Sequence, residues 1–150
     1  MRTAVVITAS NRASRGEYAD LSGESLAKGL TALGYEVSGP HVVADSIDLI
    51  SEQLTVALAN KTRLIVTTGG TGVSPTDVTP EATAPFIEKI IPGFSEALRA
   101  HSREKVPTSD LTRGLVGTHG TSLIINLPGS QGAIKDGLVI IERLAGHILD

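Results

Sequence analysis

Apolar residues along the chain fall into two alternating patterns. Thr3 to Thr8 (TAVVIT), Leu64 to Thr68 (LIVTT) and Leu123 to Leu127 (LIINL) are short and mostly apolar at consecutive positions. Such runs read as strands covered on both faces. Between them, apolar residues recur at three- and four-residue spacing: Leu26, Leu30 and Leu33; then Ile47, Ile50, Leu54 and Leu58; and finally Ile134, Leu138, Ile141, Ala145 and Ile148. These predict helices with one buried face. Gly34 stops the first of them, and Asp45 stands where an N-cap opens the second. Tyr35 to Ala44 reads as extended, interrupted by Gly39-Pro40. Thr79-Pro80-Glu81 joins a capping hydroxyl, a proline at the first helical position and a first-turn acid. That start predicts a helix ending near Ile91, before Pro92-Gly93, with a further helix from about Phe94 to Lys105. Leu115 to Leu127 reads as two strands around Thr118-His119-Gly120. Ala9 to Asp20 is polar and carries no period.

Strands alternating with helices predict an α/β fold: one domain over residues 1–150, with a mostly parallel sheet between helices on both faces. The hairpin adds an antiparallel strand. A chain of 150 residues with 41% hydrophobic and 19% charged residues builds a full core, which excludes a disordered or fibrous class. Cysteine is absent, so zinc–thiolate sites, iron–sulfur clusters and a cysteine nucleophile are excluded. A net charge of −3 with 3% aromatic residues argues against nucleic acid as a partner. No apolar run approaches the roughly 18 residues of a membrane span, and Met1 to Ser10 does not read as a signal peptide. The expectation is a cytoplasmic protein without a membrane partner.

In open parallel sheets, ligands sit beyond the carboxyl ends of the strands. The segments there are Ala9–Gly23, Asp45, Gly69–Asp77 and Pro128–Ser130, expected on one rim. Gly69-Gly70-Thr71-Gly72 can present bare backbone N–H groups to an anion. Pro128-Gly129-Ser130 precedes a helix N-terminus, a second anion cradle. Either loop alone is also compatible with an ordinary tight turn. Neither matches a P-loop or the dinucleotide fingerprint. Asp20, Asp45 and Asp77 are the acids at strand ends, and a carboxylate beside phosphate needs a cation between them. Asp45 and Asp77 are therefore candidate holders of Mg²⁺, with helix capping as the other reading of Asp45. Glu81 reads chiefly as a first-turn acid. Arg12 and Arg113 are the basic residues nearest the rim, either phosphate ligands or solvated surface charges. The four histidines have no metal-ligand spacing, and the serines have no evident base.

Thr67-Thr68-Gly69-Gly70-Thr71-Gly72 followed by Pro75-Thr76-Asp77-Val78-Thr79-Pro80-Glu81-Ala82 resembles the signature of the MogA/MoaB family of molybdopterin-binding proteins. Ser10-Asn11-Arg12 with Asp20, Ser22 and Gly23, then Asp45, Pro92-Gly93-Phe94, Leu111-Thr112-Arg113 and Asn126-Leu127-Pro128-Gly129-Ser130 agree in order. The resemblance covers nearly the whole chain. It implies a three-layer α/β/α homotrimer in molybdenum cofactor biosynthesis that transfers adenylyl from ATP to molybdopterin with Mg²⁺ and releases pyrophosphate, upstream of a molybdenum-insertion enzyme. Catalysis and the metal fall to Asp45 and Asp77. Substrate or nucleotide binding falls to Ser10, Arg12, Asp20, Ser22, Gly69, Gly70, Thr71, Gly72, Glu81, Thr112, Arg113, Pro128, Gly129 and Ser130. Thr112 and Arg113 are expected at the pterin-side phosphate. Asn11, Thr76, Thr112 and Gln131-Gly132 depart from the usual family residues. A non-catalytic molybdopterin-binding or scaffold trimer of the MoaB type is the alternative.

Overall fold

The computed structural model describes residues 1–150. The chain runs β1 (Thr3–Ala9), α1 (Asn11–Ser14), α2 (Leu21–Ala32), β2 (Glu36–Val43), α3 (Ile47–Ala59) and β3 (Leu64–Thr68). It continues with α4 (Thr79–Thr83), β4 (Lys89–Ile90), α5 (Pro92–Arg103), β5 (Val116–His119), β6 (Ser122–Leu127) and α6 (Gln131–Leu149). The six strands form one sheet in the order β2-β1-β3-β6-β5-β4. β2, β1, β3 and β6 are parallel, while β5 runs antiparallel to both β6 and β4. This is the expected mostly parallel sheet with one reversed strand. Gly39-Pro40 marks a bulge in β2, where pairing with β1 slips between Val5 and Ile7.

Successive strand side chains point to opposite faces, and the core divides accordingly. Val6, Leu64, Val66, Leu123 and Ile125 pack with Leu26 and Leu30 of α2, Phe94 of α5, and Ile134, Ile140 and Ile141 of α6. Ile7, Ile65 and Ile124 pack on the other face with Ile50 and Leu54 of α3 and Ala82 of α4. Each fully buried Leu or Ile is worth about 1.5–3 kcal/mol. The sheet is therefore the rigid part, and the loops at its edge are carried on it.

Four local expectations are corrected. The helix opened by Thr79 ends at Thr83 and tightens into a 3₁₀ turn over Ala84–Phe86, because Pro85 has no N–H to continue it. The two-residue strand β4 then occupies the region expected to be helical. Thr79 does not cap α4; its hydroxyl donates to the Gly69 carbonyl at 3.0 Å. The N-cap of α3 is Ser46, not Asp45: the Ser46 hydroxyl accepts from Leu49 N–H at 3.3 Å. No helix is long and apolar enough to cross a membrane.

Candidate active site

Strand register builds the site. Thr8 pairs with Thr68, and Thr68 with Leu127, so β1, β3 and β6 end side by side. Ala9 pairs with Val43, which places the end of β2 on the same rim. The chain leaves β1 toward β2 and returns to β3 on the opposite side of β1, so a topological switch point lies between β1 and β3. The four loops that follow these strands meet there. Gly69 N–H donates to Leu127 O at 3.0 Å, and the Thr68 hydroxyl donates to Pro128 O at 3.0 Å. The Ser22 hydroxyl donates to Gly129 O at 2.7 Å. A Cβ on Gly129 would lie 3.3 Å from Gly69 Cα, so the two glycine turns touch.

Between them opens a hollow of about 670 Å³. Gly69–Gly72 and Pro128–Ser130 form two of its walls, Ser10, Asp20 and Ser22 belong to a third, and Asp45, Asp77 and Thr112 also line it. Gly69 and Gly70 have positive φ, +92° and +68°. This turn leaves the N–H groups of Gly70, Thr71 and Gly72 without an acceptor in the chain. The N-terminus of α6, capped by the Ser130 hydroxyl on Ala133 N–H at 3.1 Å, opens at the same place. Bare N–H donors and a helix N-terminus together suit anionic oxygens.

Asp20, Asp45 and Asp77 give the hollow its negative charge. Asp45 is clamped reciprocally by Asn11: Asn11 N–H donates to Asp45 Oδ2 at 3.1 Å, and Asp45 N–H to Asn11 Oδ1 at 2.9 Å. Asp77 Oδ2 accepts from Ser74 N–H at 3.0 Å. Burial pushes the Asp45 carboxyl above its ordinary range; the Asn11 N–H partly offsets this, and the Asp77 charge adds to it. Two carboxylates lining one anion-receptive hollow suit Mg²⁺, which takes one or two carboxylates and fills its shell with phosphate oxygens and water. No cluster of three metal-ligating side chains exists, so no protein cage competes with that arrangement.

Because Asp45 holds its proton more tightly folded than unfolded, its ionisation weakens the fold. The stabilisation it contributes when protonated is complete below about pH 4 and is lost as pH rises through its raised pKa. Asp45→Asn keeps an acceptor for Asn11 N–H and should raise the melting temperature at pH 7, with the gain vanishing toward pH 4. Thermal melts across that range check it; a lower melting point at pH 7 would make the carboxylate a structural anchor.

The other candidates divide. The Asp20 carboxylate caps α2, accepting from Gly23 N–H at 2.9 Å and the Thr8 hydroxyl at 2.7 Å, so both its oxygens already have partners. Arg12, Glu81 and Arg113 are not in the lining. Arg12 is exposed on α1. Arg113 instead pairs with Glu81 through Nη1 at 2.7 Å and Nη2 at 3.1 Å. Sequence reasoning missed Tyr18, which is 56% exposed on the rim with its hydroxyl 3.1 Å from Ser10 Oγ. An aromatic inside a polar loop of an aromatic-poor chain was the available signal.

It also missed a second cavity, of about 450 Å³, between α5 and α6. This cavity shares Thr112, Pro128 and Ser130 with the first hollow. Its charge is opposite: Arg99, Lys105 and Lys135 line it, with Asp136 as its sole acid. Asp136 is buried; its Oδ2 accepts from the Ser102 hydroxyl at 2.8 Å and its Oδ1 from Lys105 Nζ at 3.1 Å. Burial pushes its carboxyl up, but these two hydrogen bonds and the nearby charges of Lys105 and His101 together outweigh that and hold it below the ordinary range.

Residues 5–145 match the family described as "Probable molybdopterin binding domain". The chain is 42% identical over 149 residues to a molybdopterin adenylyltransferase of Helicobacter pylori, covering 97% of this chain and 84% of that protein. Among solved structures, the molybdopterin biosynthesis Mog protein from Mycobacterium ulcerans superposes with a TM-score of 0.94 at 43% identity, covering 100% of this chain and 98% of that one. The tungsten cofactor synthesizing protein MoaB from Pyrococcus furiosus gives 0.92 at 34% identity, covering 99% and 95%.

Proposed function

The chain belongs to the molybdopterin-binding domain family, and from that premise we propose that it is a molybdopterin adenylyltransferase acting in molybdenum cofactor biosynthesis. The observation that carries the reading is a pair of adjoining cavities with opposite charge. The first hollow has three aspartates and no basic residue in its lining, so a triphosphate enters it only with a divalent cation. The second supplies its own cations and receives an anionic pterin phosphate directly. Thr112, Pro128 and Ser130, shared by both, form the boundary where the two substrates meet.

In this reading the N–H groups of Gly70, Thr71 and Gly72 and the N-terminus of α6 hold nucleotide phosphates, with Tyr18 placed to stack on the base. Asp45 and Asp77 would hold Mg²⁺, which offsets the phosphate charge when bound. Lys105, Lys135 and Arg99 steer the terminal phosphate of molybdopterin toward the boundary. Its oxygen attacks the α-phosphorus of ATP; the bond from that phosphorus to the bridging oxygen breaks, and pyrophosphate leaves. Positioning and charge neutralisation supply the rate enhancement in such transfers. A cytoplasmic homotrimer that hands its product to a molybdenum-insertion enzyme completes the reading. The exposed Leu49 and Val56, seven residues apart on α3, offer apolar surface for assembly.

Pyrophosphate release from ATP, dependent on both molybdopterin and Mg²⁺ and abolished by EDTA, is the expected result. Lys135→Ala should raise the KM for molybdopterin several-fold and leave that for ATP unchanged. Tight molybdopterin binding with no pyrophosphate release would favour the non-catalytic binding trimer instead.

A further inference from the structure

We infer that Arg113 and Glu81 are positioning residues, a clamp that holds Asp77 and the glycine turn in register for the metal–nucleotide complex without touching either substrate. The inference rests on the adenylyltransferase reading above. Sequence reasoning placed Arg113 on a substrate phosphate, but its surroundings assign it differently. Arg113 N–H donates to Thr71 O at 2.8 Å. Its Nε donates to Gly72 O at 2.8 Å and its Nη2 to Asp77 O at 3.0 Å. The same guanidinium forks onto both oxygens of Glu81. Four of its five N–H donors therefore have acceptors within the chain, and Arg113 lines neither cavity.

The anchored atoms identify what the clamp controls. Gly72 O and Asp77 O bracket the exposed turn that carries the Asp77 carboxylate. Within that turn the only other side-chain ties are local, Ser74 N–H to Asp77 and Ser74 Oγ to Thr76. Glu81 lies in the first turn of α4, four residues after Asp77, and so connects the arginine to the helix that follows the turn. Its hydrogen bonds to Arg113 hold its carboxyl below the ordinary range, so it stays ionised for the pair at neutral pH. A lysine at 113 brings one ammonium and cannot reach two carbonyls and a forked carboxylate together.

The test uses the full chain with Arg113→Lys, Glu81→Gln and the double variant. Calorimetry with Mg²⁺ and α,β-methylene-ATP is run beside steady-state rates. Each single variant should weaken Mg²⁺-dependent nucleotide binding about fivefold and lower kcat about tenfold, with the KM for molybdopterin near the wild-type value. The double variant should be no worse than the worse single one, because both residues serve one clamp. A roughly tenfold rise in the KM for molybdopterin with nucleotide binding unchanged would make Arg113 a substrate ligand and overturn the inference. Wild-type behaviour of all three variants would overturn it equally. Should Arg113→Lys fail to fold, Glu81→Gln, which keeps a side-chain acceptor, decides alone. A wild-type protein that neither binds Mg²⁺–nucleotide nor releases pyrophosphate would sink the adenylyltransferase reading, and the inference with it.

Discussion

Asp77→Asn should lower adenylyl transfer by about 10²–10³-fold while the protein remains folded. The asparagine retains a side-chain oxygen that can accept from Ser74 N–H, the contact that now shapes the turn at 3.0 Å. The backbone anchors also survive, since Arg113 grips the Asp77 carbonyl and not its carboxylate. What disappears is one of the two carboxylate charges, with Asp45, proposed to hold the metal in the hollow. Removal of one well-placed electrostatic group has effects of this size. The same substitution should also lower the Asp45 pKa, because the Asp77 charge is one of the causes that raise it. Pyrophosphate release measured against pH reads both effects. Wild-type turnover in a folded Asp77→Asn protein would remove Asp77 from the chemistry.

Gly69→Ala should damage both stability and activity. Gly69 has φ +92° and makes the corner where β3 turns into the anion cradle. A Cβ there would collide with the backbone carbonyl oxygen of Ala9, the last residue of β1. Backbone cannot swing aside as a side-chain end does, and positive φ alone costs an L-residue roughly 1–2 kcal/mol. A combined loss of about 2 kcal/mol or more is expected, roughly 4–8 °C in melting temperature for a chain of this size. Activity should fall further than stability, because relief of the collision displaces Gly70 and Thr71, whose N–H groups face the hollow. Thermal melts with pyrophosphate release check the pair. Gly132→Ala, where a Cβ meets nothing within 4 Å, is the control expected to leave stability nearly unchanged.

The central strands and long helices were legible because burial imposes a period on the residues themselves. Leu64–Thr68 and Leu123–Leu127 had to be mostly apolar at successive positions to face helices on both sides, and α6 had to repeat its apolar residues at helical spacing. Short elements carry no such repeat. α1, with four residues, and β4, with two, escaped for that reason. Caps were read less well, since Asp45 and Ser46 are both good N-cap residues. The choice went to Ser46 because Asn11, thirty-four residues away, holds the Asp45 carboxylate elsewhere.

The candidate site divides in the same way. Residue chemistry singled out the glycine turns and the aspartates, since small residues and carboxylates after strands have few structural reasons to cluster there. Their convergence was a matter of register: Thr8 beside Thr68 beside Leu127. The roles of the arginine and of the second cavity lay wholly in tertiary structure. A guanidinium carries the same charge whether it faces phosphate or its own chain, and only its neighbours distinguish the two. By itself the sequence determined the layered α/β fold and the set of chemical groups available at its rim, because periodicity and residue type are local properties. The tertiary structure decided which of those groups face a common space, because partners and solvent access depend on residues that meet only after the sheet has formed.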